Sequence, residues 1–105
     1  MDEKKIWSMI GLAKRAGRVE TGSLPVEKCV KSYRACLVIM AGDASDRTKK
    51  DLRNMCAYRE TDLVEFGTKE ALGHALGAGA ERSAAAVTDE HFAIRIKQLI
   101  EEYSL

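Results

Sequence analysis

Thr21-Gly22-Ser23 is a glycine-centred turn, and a lysine-bearing helical pattern follows it. Backbone N–H groups at a helix start, with a glycine that lets a ligand approach closely, suit an anion such as phosphate. Lys28 lies one turn into that pattern, Lys31 continues its face and Arg34 stands near its end. A plain strand-to-helix turn with a solvated lysine face fits the same residues, so the turn alone decides nothing. The distribution of charge adds to it. Net charge is only +1, but residues 1–53 carry 12 basic against 7 acidic side chains, and residues 54–105 carry 5 against 9. The basic residues cluster as Lys14, Arg15 and Arg18, then Lys28, Lys31 and Arg34, then Arg47, Lys49, Lys50 and Arg53. Such segregation suggests a surface facing a polyanion, provided the fold brings the clusters together.

Catalytic and metal chemistry find no comparable constellation. His74 and His91 have no second His or Cys at metal-ligand spacing, and both are expected as surface or satisfied histidines. Asp43 and Asp46 follow a central strand pattern, where α/β folds place ligands. A turn former and a helix cap explain the two acids more simply than a metal pair. Gly73, Gly77 and Gly79 close a helix before a strand, the reverse of a dinucleotide-binding order, and are expected as helix stop and turn. Neither Ser23 nor Ser45 has a nucleophile elbow around it. Cys29, Cys36 and Cys56 are odd in number and lack zinc or disulfide spacing, so reduced core thiols are expected. The chain is therefore expected to be non-catalytic and to carry no metal or cofactor.

The elements that must position the turn come from hydrophobic periodicity. In 105 residues with 46% apolar and 31% charged side chains, one globular domain spanning 1–105 is expected. Ile6, Met9, Ile10 and Ala13 predict a helix over about 3–16, stopped by Gly17. A short extended piece from Arg18 to Thr21 precedes a second helix, capped near Ser23 with Pro25 in its first turn. Val26, Cys29, Val30 and Tyr33 form its expected buried stripe. Cys36 to Met40 is a continuous apolar run that suits a central strand covered on both faces. Ser45 or Asp46 caps a third helix carrying Leu52, Met55 and Cys56, and Leu63 to Phe66 reads as a strand. Thr68 caps a fourth helix, Ala84 to Val87 reads as a strand, and Thr88-Asp89 caps a last helix. This alternation predicts an α/β fold, a three-layer α/β/α sandwich around a sheet of about four strands. The longest apolar run, Ala35 to Ala41, falls far short of the ~20 residues a membrane span needs. The start Met1-Asp2-Glu3-Lys4-Lys5 lacks a leader's apolar stretch, so cytoplasmic residence is expected.

Several segments together are similar to a known family. They are Gly22 through Lys28, the strand Leu37 to Ala41, Asp43-Ala44-Ser45, Arg47-Thr48-Lys49-Lys50, Thr68 through Gly73, and Ala85 through Asp89. In this order and spacing they resemble the ribosomal-protein family that binds kink-turn RNA, and within it the bacterial YlxQ-like branch. The resemblance spans nearly the whole chain, from Ile10-Gly11-Leu12-Ala13 onward. It implies an α/β/α sandwich that binds structured RNA, kink-turn or ribosomal, without catalysis, in or beside the ribosome; a monomer is expected, although the sequence does not fix the oligomeric state. It matches Gly22 to the family's motif glycine, Lys28 to its helix lysine, Gly42-Asp43-Ala44 to the loop after the central strand and residues 78–82, with Ala80 and Arg82, to a covering loop; the glycine turn and basic helix face add Thr21, Ser23, Lys31 and Arg34 to the expected RNA contacts. The sequence departs from the family at Leu24-Pro25, where strong kink-turn readers carry Asn-Glu. Leucine and proline side chains neither donate nor accept hydrogen bonds. Base-edge recognition worth about 1–3 kcal/mol of discrimination per bidentate pair is thereby forgone, whereas phosphate contacts survive. An apolar pair at that position also suits a protein-docking module on the same fold.

Overall fold

The computed structural model describes residues 3–104. Its elements follow in chain order as α1 (Glu3–Arg15), β1 (Val19–Thr21), α2 (Ser23–Lys31), β2 (Leu37–Met40), α3 (Asp46–Tyr58), β3 (Leu63–Glu65), α4 (Lys69–Ala75), β4 (Ala84–Val87) and α5 (Glu90–Tyr103). Three helices begin as their sequences demand. The side-chain oxygens of Ser45, Thr68 and Asp89 accept from the N–H groups of Thr48, Ala71 and Phe92 at 3.1, 3.1 and 3.0 Å. The second helix differs: Gly22, not Ser23, is its N-cap, and no side chain caps its first turn.

The strands lie in the order β1-β4-β2-β3. Central β4 runs antiparallel to β1 and β2, while β2 and β3 are parallel. Every residue of β2 and β4 is buried, because successive side chains leave opposite faces and helices cover both. Leu37, Ile39, Ala85 and Val87 pack with Ile6 and Ile10 of α1, Leu72 of α4 and Ile96 of α5. Val38, Met40, Ala84 and Ala86 pack with Val26 and Val30 of α2 and with Leu52 and Cys56 of α3. The α/β/α sandwich is thus present, with three helices on one face and two on the other. Among the described residues no helix is long and apolar enough to cross a membrane.

Two local expectations change. Gly77, at φ 63°, follows the end of α4 as the expected stop, but Gly73 lies buried within α4, and a Cβ there would sit 2.1 Å from the carbonyl oxygen of Ala80. Its missing side chain lets the 78–82 loop rest on α4. Tyr33 does not extend the buried stripe of α2, because the helix ends at Lys31 and the chain turns at Tyr33 with φ 61°. Its side chain is exposed instead.

Candidate nucleic-acid interface

Sheet register gathers four chain segments at one end of the molecule. Met40, the last residue of β2, pairs with Glu65 at the end of β3 and with Ala84 at the start of β4, and Thr21 of β1 pairs with Ala85. Hydrogen bonds lace the adjoining loops together. The N–H of Ala41 donates to Ser83 O at 2.8 Å and that of Gly42 to Gly67 O at 2.7 Å. The N–H of Lys69 donates to Asp43 Oδ1 at 2.7 Å, and that of Arg82 to Lys69 O at 3.1 Å. The loop after the central strand and the covering loop are therefore both fastened to the start of α4.

Beside this end a groove of about 690 Å³ runs between α2 and α3, with residues 81–84 in its wall. Gly22, Ser23 and Arg82 line one part of it, and Lys31, Tyr58 and Arg59 another. Gly22 holds φ 100° and ψ 155°, a backbone that L side chains rarely adopt. That conformation turns the chain into α2 and leaves the first-turn amides of Ser23 and Leu24 without a side-chain cap; Pro25 has no N–H to offer. Two buried side-chain polar atoms nearby, Thr21 Oγ1 and Arg82 Nε, have no hydrogen-bond partner. Buried polar groups ordinarily find one; Arg82 lines the groove, and Thr21 directly precedes Gly22, which also lines it.

The residues expected to contact a ligand divide by position. Gly22, Ser23 and Arg82 line the groove, whereas Thr21 and the exposed Ala80 are not part of its wall and only adjoin lining residues in the chain. Lys31 lines the groove and donates to Glu27 Oε1 at 2.8 Å; that bond and the lysine charge hold the Glu27 carboxyl below its usual range. Lys28 is exposed on α2 but is not part of the groove wall. Gly42 and Asp43 fix the loops through the bonds above, and Ala44 is buried, so its side chain offers no contact surface. Arg34 lies past the far end of α2, about 14 Å of helix from Gly22, with its Nε donating to Ser32 Oγ at 3.1 Å. It does not belong to the same corner.

The third basic cluster also divides. Lys49 and Arg53 turn to Glu65 at 3.4 and 2.8 Å, at the β3 edge. Arg47 pairs with Asp51 at 3.9 Å, and Asp51 lines the groove from the α3 side. Of the acids and histidines weighed for catalysis, Asp46 begins α3, His74 is exposed on α4 and His91 is exposed on α5. No group of three or more His, Cys, Asp or Glu able to hold a metal occurs among the described residues. Burial pushes the Cys56 thiol up to about 11 and raises Cys29, so both are protonated core groups at neutral pH.

This arrangement has known relatives. Residues 4–96 match the Ribosomal protein L7Ae/L30e/S12e/Gadd45 family. The chain belongs to that family. It is 31% identical over 100 residues to the RNA-binding protein YlxQ of Enterococcus faecium, covering 95% of each chain. It is 34% identical over 93 residues to the RNA-binding protein YlxQ of Bacillus subtilis (strain 168), covering 89% of this chain and 92% of the relative. Within the family it is a YlxQ-like member. Among solved structures, a protein of unknown function from Bacillus halodurans C matches with TM-score 0.89 and 35% identity, over 94% of this chain and 99% of that one. The Giardia lamblia 15.5kD RNA binding protein matches with TM-score 0.78 at 22% identity, over 97% of this chain and 92% of that one, a likeness of fold.

Sequence reasoning missed part of this family member's groove. Tyr58 and Arg59 line it, and Arg59 Nη1 donates to Lys31 O at 2.7 Å across 28 residues of chain. The available signal was small: Tyr33 and Tyr58-Arg59 each stand at a helix end, where helical periodicity no longer decides which side chain is buried.

Proposed function

We propose that this YlxQ-like protein is a non-catalytic RNA-binding protein that seats the backbone of a structured RNA, kink-turn or ribosomal, at the mouth of the α2–α3 groove. The uncapped α2 start, which shares its groove with Arg82 and follows Thr21, each with a buried side-chain polar atom lacking a partner, carries this reading. The amides of Ser23 and Leu24 receive a phosphate, Thr21 and Arg82 gain the partners they lack, and Lys28 and Lys31 add charge along α2. The names of the curated relatives support RNA as the ligand. Leu24, 59% exposed, and Pro25 stand where a base reader belongs, so orientation and affinity come from the backbone and sequence selectivity is low. The protein works as a monomer in the cytoplasm, on or beside the ribosome.

Titrating a labelled kink-turn stem-loop at two salt concentrations tests this. Affinity falls steeply with salt, and Lys28→Glu with Lys31→Glu nearly abolishes it. Binding that survives both changes at unaltered affinity overturns the proposed surface. The protein-docking alternative rests on the Leu24-Pro25 pair alone; ribosome association that resists ribonuclease is the result that favours it.

A further inference from the structure

We propose that Tyr33, Arg59 and Tyr58 form a stacking subsite for an unpaired RNA base at the far end of the groove, an inference that rests on the RNA-binding reading above. Tyr58 and Arg59 line the same groove as Gly22, Ser23 and Arg82, so one continuous trough joins the two places. The Arg59 guanidinium carbon lies 5.4 Å from the centroid of each tyrosine ring, and its Nη1 is held by Lys31 O, the carbonyl that ends α2. Arg59 thus props both rings from one side. Tyr33 remains 69% exposed and Tyr58 80% exposed, which leaves most of each ring open to solvent.

Tyr33 also occupies a position that favours glycine. The N–H of Tyr33 donates to Val30 O and that of Arg34 to Cys29 O, both at 3.0 Å, the pattern of a helix end closed by a left-handed residue. A large ring held outward at φ 61° contributes little to the core and is better explained by what it meets outside. Arg59 and Arg34 flank the rings directly: Arg59 lies over both, and Arg34, too far away for the Gly22 corner, is the chain neighbour of Tyr33. Two aromatic faces supported by a guanidinium make a sequence-tolerant platform for a nucleobase, while the surrounding cations follow the phosphates. A backbone seated at the groove mouth then sends a single strand along the trough toward the tyrosines.

The test uses the full chain and two probes, a kink-turn stem-loop and the same stem-loop with a short single-stranded adenosine arm that carries 2-aminopurine. Wild type is expected to bind the armed RNA more tightly and to quench the 2-aminopurine. Tyr58→Ala should lose about tenfold of affinity for the armed RNA and the quenching, with no change on the plain stem-loop, and Tyr58→Phe should retain both. Tyr33→Gly should lose the arm's contribution in the same way while remaining folded, because glycine adopts the left-handed backbone without strain. Equal affinity of wild type for the two RNAs, or a Tyr58→Ala protein that still gains from the arm, overturns the subsite and leaves the groove-mouth reading standing. Failure of wild type to bind either RNA overturns both. A ribonuclease-resistant protein complex lost in Tyr58→Ala assigns the tyrosines to protein docking and overturns the base subsite.

Discussion

Gly22 sits at φ 100°, where any L side chain is strained, and the Cβ of an alanine would meet nothing nearer than Pro25 Cδ at 3.6 Å. Gly22→Ala is therefore expected to cost on the order of 1–3 kcal/mol through the backbone alone, read in urea denaturation. It should also shift the uncapped amides and weaken RNA binding. Thr21 predicts the opposite pairing of effects. Its buried Oγ1 has no partner, so Thr21→Val removes an unsatisfied polar atom while keeping the shape of the side chain. Folding stability should rise by about 1 kcal/mol while RNA affinity falls. A hydroxyl that does not meet RNA would show the gain in stability with RNA affinity unchanged. The Arg82 guanidinium bonds the adjacent Glu81 carbonyl, at 3.0 Å, so Arg82→Ala is expected to reduce RNA binding with little change in unfolding midpoint.

Among the elements, α4 and the 78–82 loop behave as one unit. A Cβ on Gly73 would lie 2.1 Å from backbone oxygen, which cannot yield as a flexible side chain does. Gly73→Ala should then cost roughly 1–3 kcal/mol and raise amide exchange in residues 78–82, measured by hydrogen–deuterium exchange. Most elements were readable in the residues. The β-branched run Leu37 to Met40 announces a strand covered on both faces, and Ser45, Thr68 and Asp89 announce three helix starts that the structure contains. The glycine turn at the start of α2 was readable too, because only backbone freedom and an exposed helix start are involved. What the sequence could not convey depends on contacts through space. Tyr33 continues the spacing of Val26, Cys29 and Val30, yet α2 stops two residues earlier and the ring turns outward. Lys49 and Arg53 resemble part of a basic surface until Glu65, distant in sequence, is found beside them. Arg59 reaching Lys31 O is a contact between two helix ends, and no periodicity encodes it.

At the scale of the whole molecule, the sheet does two jobs. It divides the apolar side chains between two cores, and its register draws the loops after β1, β2 and β3 toward the loop before β4. The α2–α3 core contains Cys56, whose thiol burial pushes up from 9.0 to about 11. A raised folded-state value means that the unfolded chain loses its proton first. The stability this thiol contributes is present below about pH 9 and is lost as pH rises toward 11. Unfolding free energy is thus expected to decline across that window, and Cys56→Ala should flatten the decline while lowering stability at neutral pH. The division of charge along the chain is not reproduced at the groove: of the basic residues in the first half only Lys31 lines it, with Arg59 and Arg82 from the second half and the acids Glu27, Asp51 and Glu81 beside them. The central claim is that the groove mouth holds an RNA backbone, and the salt dependence of binding tests it most directly. For a structured RNA bound by wild type, a plot of log affinity against log salt should have a clearly negative slope. Arg82→Ala should make it shallower by roughly 0.9 for each phosphate that is no longer neutralised. A slope near zero, or one that Arg82→Ala leaves unchanged at full affinity, contradicts the account.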